Sequence, residues 1–140
     1  MDFFPLGQRP TRRANPNWFT GRVWQTSVCA TTDPSRVRAT QISFEPGSRS
    51  AWHSHPLGQI LFVQSGMGLI GHQDGRTCLI RAGDSVWISP GEKHWQGATP
   101  DASLELFEIQ KAESGYVTTW MSYVSDEEYL AKPTCITELE

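Results

Sequence analysis

The sequence has no apolar stretch near the roughly 20 residues needed to cross a membrane, so no helical span is expected. The start, Met1-Asp2-Phe3-Phe4-Pro5, has no basic segment followed by a long apolar run, and a secretory signal is not expected. Lysine and arginine number 12 against 15 acidic residues, a net charge of -3, with no basic stripe for nucleic acid. Arg9, Arg12 and Arg13 cluster beside prolines and read as a solvated arm. Cysteine is scarce: Cys29, Cys78 and Cys135, an odd count without C-x-x-C spacing. A disulfide framework is therefore not expected, and free thiols fit a reducing cytoplasm. Cys29 and Cys78 lie in apolar runs and read as small sheet or core residues. There is no H-E-x-x-H and no nucleophile elbow. Gly66-x-Gly68 is a turn rather than a phosphate loop, since neither a helix pattern nor a lysine follows. Internal repeats and low-complexity tracts are absent as well.

What is present is short, strand-like and punctuated by turns. The 140 residues suit one domain. Residues 1–17, rich in Pro, Arg and Asn and without periodicity, are expected to form an arm over a neighbouring surface or subunit. From Trp18 to residue 124, apolar runs alternate with Gly and Pro breaks, the all-β pattern. Strands are expected over 23–30, 37–45, 50–55, 59–65, 68–73, 78–81, 85–88, 94–98 and 104–111. About nine short strands in so few residues suggest a closed barrel or sandwich. Residues 125–140 change character: Ser125-Asp126-Glu127-Glu128 reads as a capping box opening a short helix to about Lys132, which Pro133 stops.

Four residues carry the chemistry. His53 and His55 stand at i, i+2, which places both on one face of a strand. Gln59 follows on the next strand, where it shares a face with Leu61 and Val63, and His94 shares a face with Gln96 further on. Imidazole is the commonest metal ligand near neutral pH. Three imidazoles and one amide oxygen would hold a divalent cation with coordination positions open. His72 stands alone before a turn and reads as a surface histidine. The same alternation places Thr40, Ile42 and Phe44 inward on one strand, and Leu104, Leu106, Glu108 and Gln110 together on another. If that face is inward, Glu108 is a carboxylate inside the barrel, a base or a substrate ligand. Gln96 could donate to a bound anion. The expected catalytic set is thus Glu108, Gln96 and Thr40, with Ile42, Phe44, Leu61, Leu106 and Gln110 lining the substrate pocket. Trp52, Trp87 and Trp95 alternate against inward positions and are expected to pack between sheets or subunits.

These residues also resemble a known family. Gly47, His53, His55, Gln59 and Gly66 match the first motif of the small single-domain cupins, with Gln in place of the usual Glu. Gly83, Gly91 and His94 match the second, with Ser89 at its proline position. Within cupins the chain is similar to the bacterial manganese-dependent hydroxynitrile lyases. The similarity lies in Trp18-Phe19-Thr20-Gly21, Phe44-Glu45-Pro46-Gly47, His55-Pro56-Leu57-Gly58-Gln59 and Ser89-Pro90-Gly91-Glu92-Lys93-His94-Trp95. The resemblance implies a single cupin barrel (a double-stranded β-helix, or jelly roll) with a short C-terminal helix. It also implies a Mn(II) site at His53, His55, Gln59 and His94, and a homodimer or homotetramer. The donor set itself suits Fe, Co, Ni or Zn as well. Some of those relatives carry a histidine at the place of Leu106, and leucine cannot shuttle a proton. Gln rather than Glu leaves the site one positive charge higher, and so more strongly Lewis acidic.

The implied activity is a lyase acting on a small hydroxy or carbonyl compound. Competing expectations are a cupin that converts unsaturated sugar acids, a cupin dioxygenase, or a ligand-binding module with a structural metal.

Overall fold

The computed structural model describes residues 1–136. Its strands in chain order are Thr11–Arg13 (β1), Phe19–Thr20 (β2), Val23–Ala30 (β3), Val37–Phe44 (β4), Arg49–Ser50 (β5), His53–Ser54 (β6) and Gln59–His72 (β7). There follow Thr77–Arg81 (β8), Ser85–Ile88 (β9), His94–Ala98 (β10), Leu104–Lys111 (β11), Thr119–Trp120 (β12) and Cys135–Ile136 (β13), with an α-helix, Asp126–Leu130 (α1), before the last and a 3-10 turn at Leu6–Gln8 near the start.

The strands form two faces of a jelly roll. One face runs β1-β3-β4-β11-β7 with β9 on the far side of β7. The other runs β2-β5-β10-β7-β8, with β6 beside β10 and β12 beside β6. β7 belongs to both. Its first half pairs with β11 and β9, its second half with β10 and β8. The two separate strands expected over 59–65 and 68–73 are therefore one bent strand. Gly66, at φ 85°, makes the bend, and any Cβ there would strike the Ser103 carbonyl. A register shift in β11 between Glu105 and Leu106 sits against the same corner.

Alternation places the core. Ile42 and Phe44 on β4, Leu61 and Val63 on β7, and Leu104 and Leu106 on β11 point inward and are at most 1% exposed. Val23, Phe19, Ile80, Ile88 and Ala98 complete this cluster. The outward partners on β7, β9 and β11, namely Ile60, Phe62, Trp87 and Ile109, stay exposed. Beyond the barrel, Trp52, Leu69, Trp95, Val124 and Tyr129 form a second apolar cluster beneath α1. Trp52 and Trp95 thus pack as expected, whereas Trp87 is 59% exposed.

Four expectations change. The arm is not featureless: Thr11–Arg13 pairs antiparallel with Thr26, Gln25 and Trp24, joining the barrel's own sheet. The strand expected over 50–55 splits into β5 and β6 around Ala51 and Trp52, and His55 lies just past its end. The capping box forms, with Ser125 Oγ accepting from Glu128 N at 3.1 Å and Ser125 N donating to Glu128 Oε1 at 3.0 Å. The helix nevertheless stops at Leu130, because Ala131 is already extended, ahead of Pro133. Finally, Cys78 and Cys135 are not free thiols: they form a disulfide with Cα atoms 4.6 Å apart, beside the parallel pairing of β13 with β8. Nothing local in the sequence couples residues 57 positions apart. Cys29 remains a free, partly buried thiol on β3. The expected tail beyond Ile136 lies outside the described residues. Among those described, no helix is long and apolar enough to cross a membrane.

Candidate metal centre and its cavity

β6 and β10 pair so that His53 and His94 sit directly opposite one another. Their ring centroids are 4.2 Å apart, and His55 lies 5.1 Å from His53 and 5.4 Å from His94. Ligand nitrogens from the three rings fall within 4.8 Å of one another. Each Nδ1 faces a main-chain carbonyl: Ala51 O at 2.8 Å from His53, Val117 O at 2.6 Å from His55 and Glu92 O at 3.0 Å from His94. A carbonyl only accepts, so each Nδ1 carries the proton and each Nε2 keeps its lone pair.

Burial reinforces this. Desolvation holds His53 well below the usual imidazole range, aided by its neighbours His94 and His55 and opposed by the Ala51 carbonyl. It pushes His94 down to about 4, against the Glu92 carbonyl, and lowers His55 against the Val117 carbonyl and the Gln59 side chain. At neutral pH all three rings are neutral and able to donate electron pairs.

Gln59 completes the set. It is 1% exposed, and its Nε2 donates to Gln110 Oε1 at 3.1 Å, which turns its own Oε1 away from Gln110. Gln59 Oε1, His55 Nε2 and His94 Nε2 are buried without a hydrogen-bond partner. Buried polar atoms are nearly always paired, and unpaired acceptors grouped on one site are what a cation satisfies. A neutral donor set of three nitrogens and an amide oxygen fits a divalent metal.

Beside these ligands lies a cavity of about 540 Å³, bordered by His53 and His55. Its polar lining residues include Gln25, Thr40, Glu108 and Gln110 from one sheet and Gln96 from the other. Its aromatic and apolar lining residues are Trp18, Phe19, Tyr116, Val117 and Trp120. Trp18 and Trp120 stack at 5.1 Å with planes 5° apart, and Trp120 also lies 4.8 Å from the His53 ring. Glu108 accepts one hydrogen bond, from Gln96 Nε2 to its Oε1 at 2.8 Å. Desolvation outweighs that bond and raises its carboxyl to about 7.

Of the residues expected at the site, His53, His55 and His94 converge, Gln59 is buried next to His55, and Thr40, Gln96, Glu108 and Gln110 border the cavity. Ile42, Phe44, Leu61 and Leu106 do not line it. They point inward as alternation requires, but lie deeper, sealed in the apolar core. Gln96 spends one of its two amide N–H groups on Glu108, and its Oε1 is left without a partner. His72 stays outside, partly exposed, its ring nitrogens 3.0 and 2.9 Å from the Asp74 and Glu92 carboxylates.

Several lining residues escaped the sequence reading. Gln25 was within reach, since it shares β3 parity with the buried Val23. Trp120 sits in a two-residue strand opposite His53, too short to give a periodic signal. The Val117 carbonyl that orients His55 has no side-chain signature at all.

Comparison with known proteins agrees with this geometry. Residues 40–110 match the Cupin domain family. The chain is 40% identical over 129 residues to an (R)-mandelonitrile lyase of Granulicella tundricola, covering 92% of this chain and 98% of that protein. Among solved structures, a cupin-like protein of Thermotoga maritima superposes with a TM-score of 0.78 at 34% identity, over 92% of this chain and 95% of that one. A polyketide cyclase of Streptomyces resistomycificus has a TM-score of 0.72 at 18% identity, over 92% and 90%, a likeness of fold.

Proposed function

The chain belongs to the cupin family, and from that premise we propose that it is a metal-dependent lyase that makes or breaks a bond beside a hydroxyl-bearing carbon, as in cyanohydrin cleavage. The observation that carries this reading is the placement of Glu108 in the cavity that His53 and His55 border. The similarity to a mandelonitrile lyase supports the reaction class.

His53, His55, His94 and Gln59 would hold the cation, which the resemblance favours as Mn(II), with Fe, Co, Ni or Zn also suited to the donors. Such a cation supplies Lewis acidity toward a hydroxyl or carbonyl oxygen. The protein's own groups do the rest. Glu108 takes the hydroxyl proton as the carbonyl forms and returns it to the leaving carbanion, so protons balance over the cycle. Gln96 holds the carboxylate in place through its N–H. Thr40, opposite Glu108 in the ladder between β4 and β11, orients the substrate beside it. The Trp18–Trp120 stack takes the flat apolar part and excludes water. Association into dimers or tetramers would cover the exposed stripe of Ile60, Phe62, Trp87 and Ile109.

Mandelonitrile cleavage by the Mn(II)-loaded protein tests the reading. Glu108→Gln should lower kcat about 10²- to 10⁴-fold with metal content unchanged. The pH dependence has a definite sign. A base works only when ionised, so kcat/KM should fall as pH drops through a value at or below about 7, since a nearby cation can only lower the carboxyl from there. Glu108→Gln should abolish that limb. Full activity in the variant ends the proposal.

A further inference from the structure

The polar wall of the cavity is incomplete in a specific way. Gln96 is 2% exposed, and its side chain borders the cavity. Its backbone N–H donates to Ser50 Oγ at 3.1 Å, and its side-chain Nε2 donates to Glu108 at 2.8 Å. Its Oε1 is buried and receives nothing. With Glu108 ionised, the form in which it acts as a base, the amide does not turn to correct this, because the turn would set a carbonyl oxygen against a carboxylate oxygen, two acceptors face to face. Neighbouring groups do not help: Gln110 Oε1 is itself an acceptor, already taken by Gln59, and neither Thr40 nor Gln25 reaches the orphan atom. A buried acceptor without a donor is costly, and in a cavity beside a catalytic group it marks where a ligand donor belongs.

We propose that the substrate carries a second hydrogen-bond donor, a hydroxyl or amine besides the oxygen taken at the metal centre, and that Gln96 Oε1 receives it. The inference rests on the lyase reading above and narrows its substrate class. An anion at this point would meet the Gln96 carbonyl and the Glu108 carboxylate, so this part of the wall selects against anionic substituents and for protic, neutral or cationic ones. The Trp18–Trp120 stack, which also lines the cavity, accepts a flat apolar body. The class so defined is an aryl or alkenyl compound bearing two neighbouring protic groups, such as a vicinal diol or amino alcohol. A site built to bond a particular hydroxyl rejects the analogue lacking it far more strongly than an apolar pocket rejects a missing methylene.

The test compares phenyl glycol with its terminal methyl ether, which keeps the body and removes one donor. Both are titrated calorimetrically into Mn(II)-loaded protein. The diol should bind about tenfold more tightly than the ether. In Gln96→Met, similar in length but without the acceptor, the diol should weaken to the ether's level while the ether is unchanged. A thermal melt establishes that the variant is folded; should it not be, the ligand pair on the wild-type protein still decides. Equal binding of diol and ether overturns this inference alone, and means that a buried water satisfies Gln96. Retention of the diol preference in a folded Gln96→Met does the same. If neither ligand binds a protein that holds its metal, this inference falls, while the reading beneath it stands or falls with mandelonitrile cleavage. A loss of mandelonitrile cleavage in Glu108→Gln, measured separately, keeps the two failures apart.

Discussion

The same strands build two unlike halves of one barrel. On β11, Gln110 and Glu108 border the cavity, while Leu106 and Leu104, the next inward positions, are fully buried. On β4, Thr40 is followed by Ile42 and Phe44; on β7, Gln59 by Leu61 and Val63; on β10, His94 and Gln96 by Ala98. The ladders align these changes: Gln110 faces Gln59, Glu108 faces Thr40 and Leu61, and Leu106 faces Ile42 and Val63. Each inward face turns from polar to apolar near one level. The upper half holds unpaired acceptors, and the inward positions below it on these four strands are apolar. Apolar packing is thus concentrated below the boundary and the candidate site above it.

That division can be broken deliberately. The largest expected effect is in the upper half. His53→Ala should abolish metal retention and activity together, yet leave the far-ultraviolet circular dichroism spectrum unchanged, because the apolar layers do not need the ion. A variant that unfolds instead would show that the halves are not separable. In the lower half the pattern should invert. Leu106→Ala opens a cavity in a layer with no exposure and should cost about 2–5 kcal/mol in urea unfolding. Its metal content, read by atomic absorption, should hold. A third variant sharpens the boundary itself. Gln110→Leu frees Gln59 to rotate and should weaken metal affinity about 10-fold in chelator competition, with little change in the melting temperature. An unchanged affinity would show that Gln59 is aimed without help from Gln110.

The comparison also explains what the sequence could tell. Period-two alternation tells inward from outward, which is why His53, His55, Thr40, Glu108 and Gln110 were all legible. Depth along the barrel axis is a property of register between strands, and no single strand records it. Ile42, Phe44, Leu61 and Leu106 therefore pass every one-strand criterion for the cavity and still lie in the core beneath it. Register also hides the ring of carbonyls that fixes the imidazoles, since Val117 reaches His55 across 62 positions of chain. The pairing of Cys78 with Cys135 and the edge strand Thr11–Arg13 escaped for the same reason: both are long-range pairings without a local signature. What a side chain does with its amide is less legible still. Residue type does not say which end of the Gln96 amide is taken; only its neighbour Glu108 fixes the N–H toward itself and leaves Oε1 unpartnered.

β10 is covered on both sides. His94 joins the histidine cluster and Gln96 borders the cavity, while Trp95, between them, packs at 5.8 Å against Tyr129 of α1, whose hydroxyl also holds the Ala98 carbonyl at the strand's end. Arg49 fastens the start of that helix, bonding the Val124 carbonyl at 2.9 Å and the Asp126 carboxylate at 2.8 Å. The C-terminal segment is thus a buttress for the ligand-bearing strand. Drift in its sequence is answerable to the candidate site on the opposite side of a single layer of backbone, and trimming it should disturb the His94 strand without touching any residue that lines the cavity.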